Sequence, residues 1–145
     1  LQGNLLPVYG KGQQIRDWLF VVDHCNAIDA VLKDGKVGEI YNIGGLNEKT
    51  NIEIVNILCE ILDDLIPQTN ALSYKSQIIY VKDRAGHDKR YAINASKIKD
   101  DLNWHPTETF ETGIKKTVKW YLDNQSWVKN VTNGDYLTWV ARNYS

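Results

Sequence analysis

Apolar and polar positions change period several times along the chain, and each change marks an element. Leu5 to Tyr9 and Gln14 to Val21 read as short extended segments, separated by the turn signal Gly10-Lys11-Gly12. Ile28, Val31 and Leu32 then predict a helix, capped by Asp23 and ended by Asp34-Gly35. Glu39 to Ile43 is a predicted strand closed by Gly44-Gly45. Thr50-Asn51-Ile52-Glu53 has the form of a capping box, with Ile54, Val55, Leu58, Ile61, Leu62 and Leu65 at helical spacing behind it and a stop at Pro67. A strand over Gln77 to Val81 leads into the polar, aperiodic segment Asp83 to Arg90, a predicted loop. Asn94 caps a short helix to about Leu102, and Trp104-His105-Pro106 is a break. Phe110, Ile114, Val118, Tyr121 and Leu122 stripe a further helix, and an amphipathic segment, Tyr136 to Tyr144, closes the chain.

The pattern is mixed α/β, with few short strands and several helices, too few strands for a complete doubly wound sheet. With no internal linker or repeat, residues 1–145 are expected to form one domain. A hydrophobic share of 43% and a charged share of 24% fit an ordinary globular protein. A net charge of −1 gives no bulk attraction to nucleic acid or to an anionic membrane. No apolar run approaches the ~20 residues that span a bilayer. The first residue is Leu and no signal peptide follows it, so the chain is expected to start partway through a longer protein. Cys25 and Cys59 both fall in predicted helices and read as buried thiols of a reducing, cytoplasmic environment rather than a disulfide.

Much chemistry is excluded. The sequence contains no glycine-rich strand–turn–helix fingerprint, no Walker sequence, no His-Glu-x-x-His and no Cys-x-x-Cys. None of the eight tyrosines is followed by Lys four residues on, and His24, His87 and His105 lack metal-ligand spacing. Catalysis by a nicotinamide cofactor confined to this chain is therefore disfavoured.

Two polar segments stand out. In Tyr9 to Trp18, Arg16 sits between Ile15 and Trp18, where its planar fork could meet a phosphate or pair with Asp17 on a solvated strand. In Asp83 to Tyr91, Arg84 and His87 flank Gly86, an arrangement open to a ligand and equally to a charged surface loop. Asn51 reads as a ligand contact or a helix cap, and Tyr136 as a ligand contact or a core aromatic.

Taken in order, Leu6-Pro7-Val8-Tyr9-Gly10-Lys11-Gly12, Ile15-Arg16-Asp17-Trp18-Leu19, Tyr41-Asn42-Ile43-Gly44-Gly45, Asp83-Arg84-Ala85-Gly86-His87-Asp88 and Gly134-Asp135-Tyr136 with Trp139 resemble the C-terminal region of the dTDP-glucose 4,6-dehydratase family. That family belongs to the extended short-chain dehydrogenase/reductases, and the resemblance spans essentially the whole chain. It implies the substrate-binding portion of a Rossmann-type enzyme that uses NAD to oxidise C4 of dTDP-glucose, loses water across C5–C6 and returns the hydride to C6. It further implies that the NAD-binding N-terminal Rossmann domain and the catalytic residues lie outside this chain, and that the full-length enzyme is a homodimer. Carried residue by residue, it implies Pro7 and Tyr9 near the thymine, Arg16 and Arg84 as a pyrophosphate clamp, Asn51 and His87 on the diphosphate–sugar portion, and Tyr136 near the hexose. Ala85 departs from the family's usual Pro, which removes a φ restraint from the loop. Two other readings share the scaffold: a nucleotide-sugar epimerase or decarboxylase, and a non-catalytic nucleotide-sugar-binding module.

Overall fold

The computed structural model describes residues 1–132 and Gly134. Its elements in chain order are β1 (Leu6–Tyr9), β2 (Ile15–Asp17), α1 (Val21–Asp34), β3 (Glu48–Thr50), α2 (Asn51–Leu65), a 3-10 turn (Tyr74–Gln77), β4 (Ile78–Val81), α3 (Ser96–Leu102), α4 (Phe110–Asp123) and α5 (Gln125–Thr132). This is the expected mixed α/β chain with few short strands.

The capping box forms as read. Thr50 accepts from the Glu53 amide, while the Glu53 carboxylate takes the Thr50 amide and hydroxyl, satisfying donors the first turn of α2 cannot satisfy itself. α2 then buries Ile54 and Cys59. At α3, Ala95 rather than Asn94 takes the capping position and no side chain caps the helix; Asn94 Oδ1 accepts only from the amide and hydroxyl of Ser96, two residues on. Ala27, Ala95, Ile98 and Trp104 form a buried cluster that joins α1, α3 and the loop before α4.

Three local readings need correction. α1 begins at Val21, with Phe20 in the capping position and no side-chain cap. Asp23 lies inside its first turn, 1% exposed, and accepts from the Thr107 amide and hydroxyl and the Glu108 amide. It therefore ties α1 to the start of α4 rather than capping its own helix. Ala27 faces the core, whereas Ile28 and Leu32, on the apolar stripe that predicts the helix, are 43% and 80% exposed. Cys25 is exposed and only Cys59 is buried; both are free thiols.

The strand expected over Glu39 to Ile43 does not form. A strand needs a neighbour to receive its backbone groups, and among the described residues none pairs with it. Side chains hold the segment against α3 instead: Lys97 Nζ donates to the Ile40 carbonyl at 3.0 Å, and Tyr41 to Asp101 at 3.4 Å. Strand pairing falls to β3, antiparallel to β2 with Arg16 opposite Lys49, and to β1 and β4, which pair in parallel with Tyr9 opposite Val81.

The outward faces are unusually apolar. Val21, Val22, Ile28, Leu32, Val37 and Ile40 are all exposed. An apolar groove of about 750 Å³ runs between the β2–α1 connection and α4 and α5, lined by Phe20, Val22, Ile114, Trp120, Tyr121 and Trp127 among others. Monomers seldom leave this much apolar surface in water. The 145-residue chain by itself is expected to bind a hydrophobic dye and to self-associate. A concentration-independent monomer in sedimentation, with no dye fluorescence, would contradict this.

Candidate functional site

The polar chemistry gathers at one rim, away from the large groove, and backbone contacts assemble it. Gly12 has φ +67, and a Cβ there would lie 2.8 Å from Val8 Cγ1 and 2.9 Å from Ile52 Cβ. That close approach lets the Gly12 carbonyl accept from Ile52 N at 2.9 Å, and the Gln14 carbonyl from Asn51 N at 3.0 Å. The start of α2 is thus pinned to the β1–β2 turn. On the other side, Gly10 N donates to the Val81 carbonyl at 2.9 Å. The chain leaving β4 then returns along β2: Ile15 N donates to the Lys89 carbonyl at 2.8 Å and Tyr91 N to the Ile15 carbonyl at 3.0 Å, a parallel bridge between Ile15 and Arg90.

These contacts bring Tyr9, Arg16, Asn51, Arg84 and His87 to the same end of the molecule. Arg16 does not pair with Asp17. Its guanidinium donates to the Asp88 carbonyl from both terminal nitrogens at 3.2 Å and lies 4.6 Å from the centre of the Tyr91 ring. Asp17 is occupied elsewhere, accepting from the amides of Gly45 and Asn47 at 2.9 and 2.8 Å. Tyr91 in turn donates its hydroxyl to Asp88. That hydrogen bond and the Asp88 charge push the Tyr91 phenol above its usual range, and the fields of Arg16 and Arg84 both oppose the rise.

Arg84 is exposed, and its guanidinium makes no hydrogen bond or ion pair among the described residues. His87 is held tightly, its side chain 8% exposed, with Nδ1 2.7 Å from Asp83 Oδ1 and its ring edge-on to Tyr9, centroids 6.3 Å apart. Asp83 also accepts from Gln14 Nε2 at 2.8 Å and from the Arg84 amide at 2.9 Å. The His87 hydrogen bond, opposed by partial desolvation and aided by the Arg84 amide, holds the Asp83 carboxyl below the usual carboxylate range. Thr50, not Asn51, caps α2, which leaves the Asn51 side chain uncommitted to that role.

Pro7 lies on β1 and lines a hollow of about 300 Å³ with Val55, Leu58, Cys59 and Tyr74. Tyr136 lies outside the described residues. Gln14, Asp83, Asp88 and Tyr91 were missed as members of the site. Asp83 and Asp88 bracket the motif that drew attention to Arg84 and His87, but nothing in the sequence shows Gln14 reaching Asp83. Among the described residues no cluster of three or more His, Cys, Asp or Glu could hold a metal, and no helix is long and apolar enough to cross a membrane.

Two guanidinium groups without a carboxylate partner among the described residues, with a clamped imidazole on the same loop, suit a small anionic ligand. Residues 2–117 match the family model described as GDP-mannose 4,6 dehydratase. The chain belongs to this family. A dTDP-glucose 4,6-dehydratase of Shigella flexneri is 56% identical over 144 residues, covering 99% of this chain and 39% of the relative. That of Xanthomonas campestris is 57% identical over 136 residues, covering 94% and 39%. The chain thus spans well under half the length of these members of the family.

Solved structures agree. A dTDP-glucose 4,6-dehydratase from Bacillus anthracis, in complex with NAD, superposes with a TM-score of 0.75 at 51% identity over 87% of this chain and 37% of its own. Another from Streptomyces venezuelae, with NAD and a second ligand bound, gives 0.76 at 40% identity over 86% and 36%. The fold is that of the extended dehydratases and epimerases of this family.

Proposed function

We propose that this chain is the C-terminal, sugar-nucleotide-binding domain of a dTDP-glucose 4,6-dehydratase, and that Tyr9, Arg16, Asn51, Arg84 and His87 bind the substrate. The observation that carries this reading is that β2 and the Asp83 to Tyr91 loop are tied side by side: the Arg16 guanidinium holds the Asp88 carbonyl of the loop that carries Arg84. With a net charge of −1, the protein has no global field to draw in a diphosphate, so local guanidinium groups must do it. The likeness over 99% of the chain to dTDP-glucose 4,6-dehydratases supports dTDP as the nucleotide. Tyr9, half exposed at the rim, offers a ring face for a base. Pro7 and Tyr136 complete the assignment for the thymine and the hexose.

The described residues do not fit NAD. The Gly10-Lys11-Gly12 turn leads into a strand, and Gly12 is filled in by Val8 and Ile52, so no helix N-terminus opens toward a pyrophosphate there. The oxidation, water elimination and reduction that make dTDP-4-keto-6-deoxyglucose accordingly belong to a Rossmann domain outside this chain. The unpaired segment Glu39 to Ile43 and the bare face of α1 are the surfaces against which that domain packs, in a homodimeric cytoplasmic enzyme.

The 145-residue chain alone is expected neither to retain NAD nor to turn over dTDP-glucose. Incubating it with both and following the 4-keto product tests this. Turnover above background would show that a catalytic set resides in this chain.

A further inference from the structure

Resting on the reading of this rim as a nucleotide site, we infer that Asp83 is a positioning residue that fixes the tautomer of His87, so that Nε2 is the atom offered to the ligand. A neutral imidazole carries one proton, and its partner decides which nitrogen holds it. Here the partner is a carboxylate 2.7 Å from Nδ1. An ionised carboxylate only accepts, so Nδ1 carries the proton and Nε2 keeps its lone pair. Nε2 has no hydrogen-bond partner among the described residues, in a side chain that is more than nine-tenths buried. With the rest of the ring packed and Nδ1 committed to Asp83, Nε2 is the one ring nitrogen left for a group that arrives with the ligand.

The carboxylate is itself held from several sides. Gln14 Nε2 donates to Oδ2 at 2.8 Å and the Arg84 amide to Oδ1 at 2.9 Å. Gln14 is 9% exposed, and its amide cannot turn over without setting its oxygen against the carboxylate. Gly10 closes the remaining side: a Cβ on it would lie 2.9 Å from Asp83 Oδ2. The β1–β2 turn and the loop after β4 therefore fix one oxygen pair, and that pair fixes the ring. Nε2 accepts from a sugar hydroxyl while the ring is neutral and donates to a phosphate oxygen once it is protonated. In both cases the same atom meets the ligand.

Nitrogen-15 spectra of the His87 imidazole test this in the intact protein. In its neutral form the wild-type ring should show the Nδ1–H tautomer. Asp83→Asn should lose that preference and weaken dTDP binding about tenfold. A wild-type ring in the Nε2–H tautomer overturns the inference without recourse to any variant. Saturation with dTDP should then shift the Nε2 resonance. A shift with dTDP but not with thymidine places a phosphate oxygen there; a shift with both places a deoxyribose hydroxyl. Calorimetric binding of dTDP that leaves Nε2 unmoved overturns the inference and leaves the proposed function standing. Failure to bind dTDP removes the proposed function, while the tautomer still judges Asp83.

Discussion

Removing Arg16 or Arg84 is expected to weaken dTDP binding about 10- to 100-fold each, and removing both should cost less than the product of the two losses. The size follows from charge-assisted hydrogen bonds, about 1.5–3 kcal/mol each in a water-poor site. The two contributions differ in origin. Arg84 has no competing hydrogen bond, so its loss removes a ligand contact alone. Arg16 also holds the Asp88 carbonyl and stacks on Tyr91, so Arg16→Ala loosens the loop that carries Arg84. Coupling through that loop makes the losses non-additive. Calorimetry on Arg16→Ala, Arg84→Ala and the double variant of the full-length protein measures this. Losses under threefold in both single variants would return the arginines to the solvated surface. Large and strictly additive losses would keep both as ligands and separate them energetically.

Asp23→Ala should be among the most destabilising single changes in the chain, at about 3 kcal/mol or a fall in Tm of about 10 °C. Burial by itself pushes the Asp23 carboxyl up. The Thr107 hydroxyl, the amides of Glu108 and Thr107, and the charge of Lys116 outweigh it and leave the carboxyl below its usual range. Because the folded pKa lies below the unfolded one, the stabilisation is fully present above the ordinary carboxylate range. It fades as pH falls through the folded value. Asp23→Asn keeps the shape but turns a donor toward donors, so it should lower stability at neutral pH and flatten the acid limb. Urea unfolding at neutral and acid pH reads both effects. Equal stability of wild type and Asp23→Asn at neutral pH would show that the three hydrogen bonds contribute nothing net.

The helices were legible because their signals are local. Thr50 and Glu53 sit three apart and cap α2 whatever surrounds them. What failed were readings that depend on a partner. Glu39 to Ile43 has the residues of a strand and no edge to pair with. Asp23 has the residue type of a cap, but residues 107–108, far along the chain, claim it. The apolar side of α1 could not be read from the spacing of Ile28, Val31 and Leu32, because two faces of that helix are apolar and only packing chooses Ala27. Within the site, Arg16, Arg84 and His87 were visible through a resemblance that quotes their motifs. Gln14 and Tyr91, which set the geometry, were not, since glutamine and tyrosine carry no charge signal and their contacts cross the fold.

The parallel pairing of β1 with β4 has a kinetic meaning. Such a pair cannot zip from a turn; α1, β3 and α2 all lie between the two strands in sequence, and the closure entropy of that long loop must be met before a single rung forms. The Asp83 to Tyr91 loop leaves β4, so it can settle only after that closure. The rim therefore matures late during refolding, after the local helices, and recovery of ligand binding should trail recovery of helical signal.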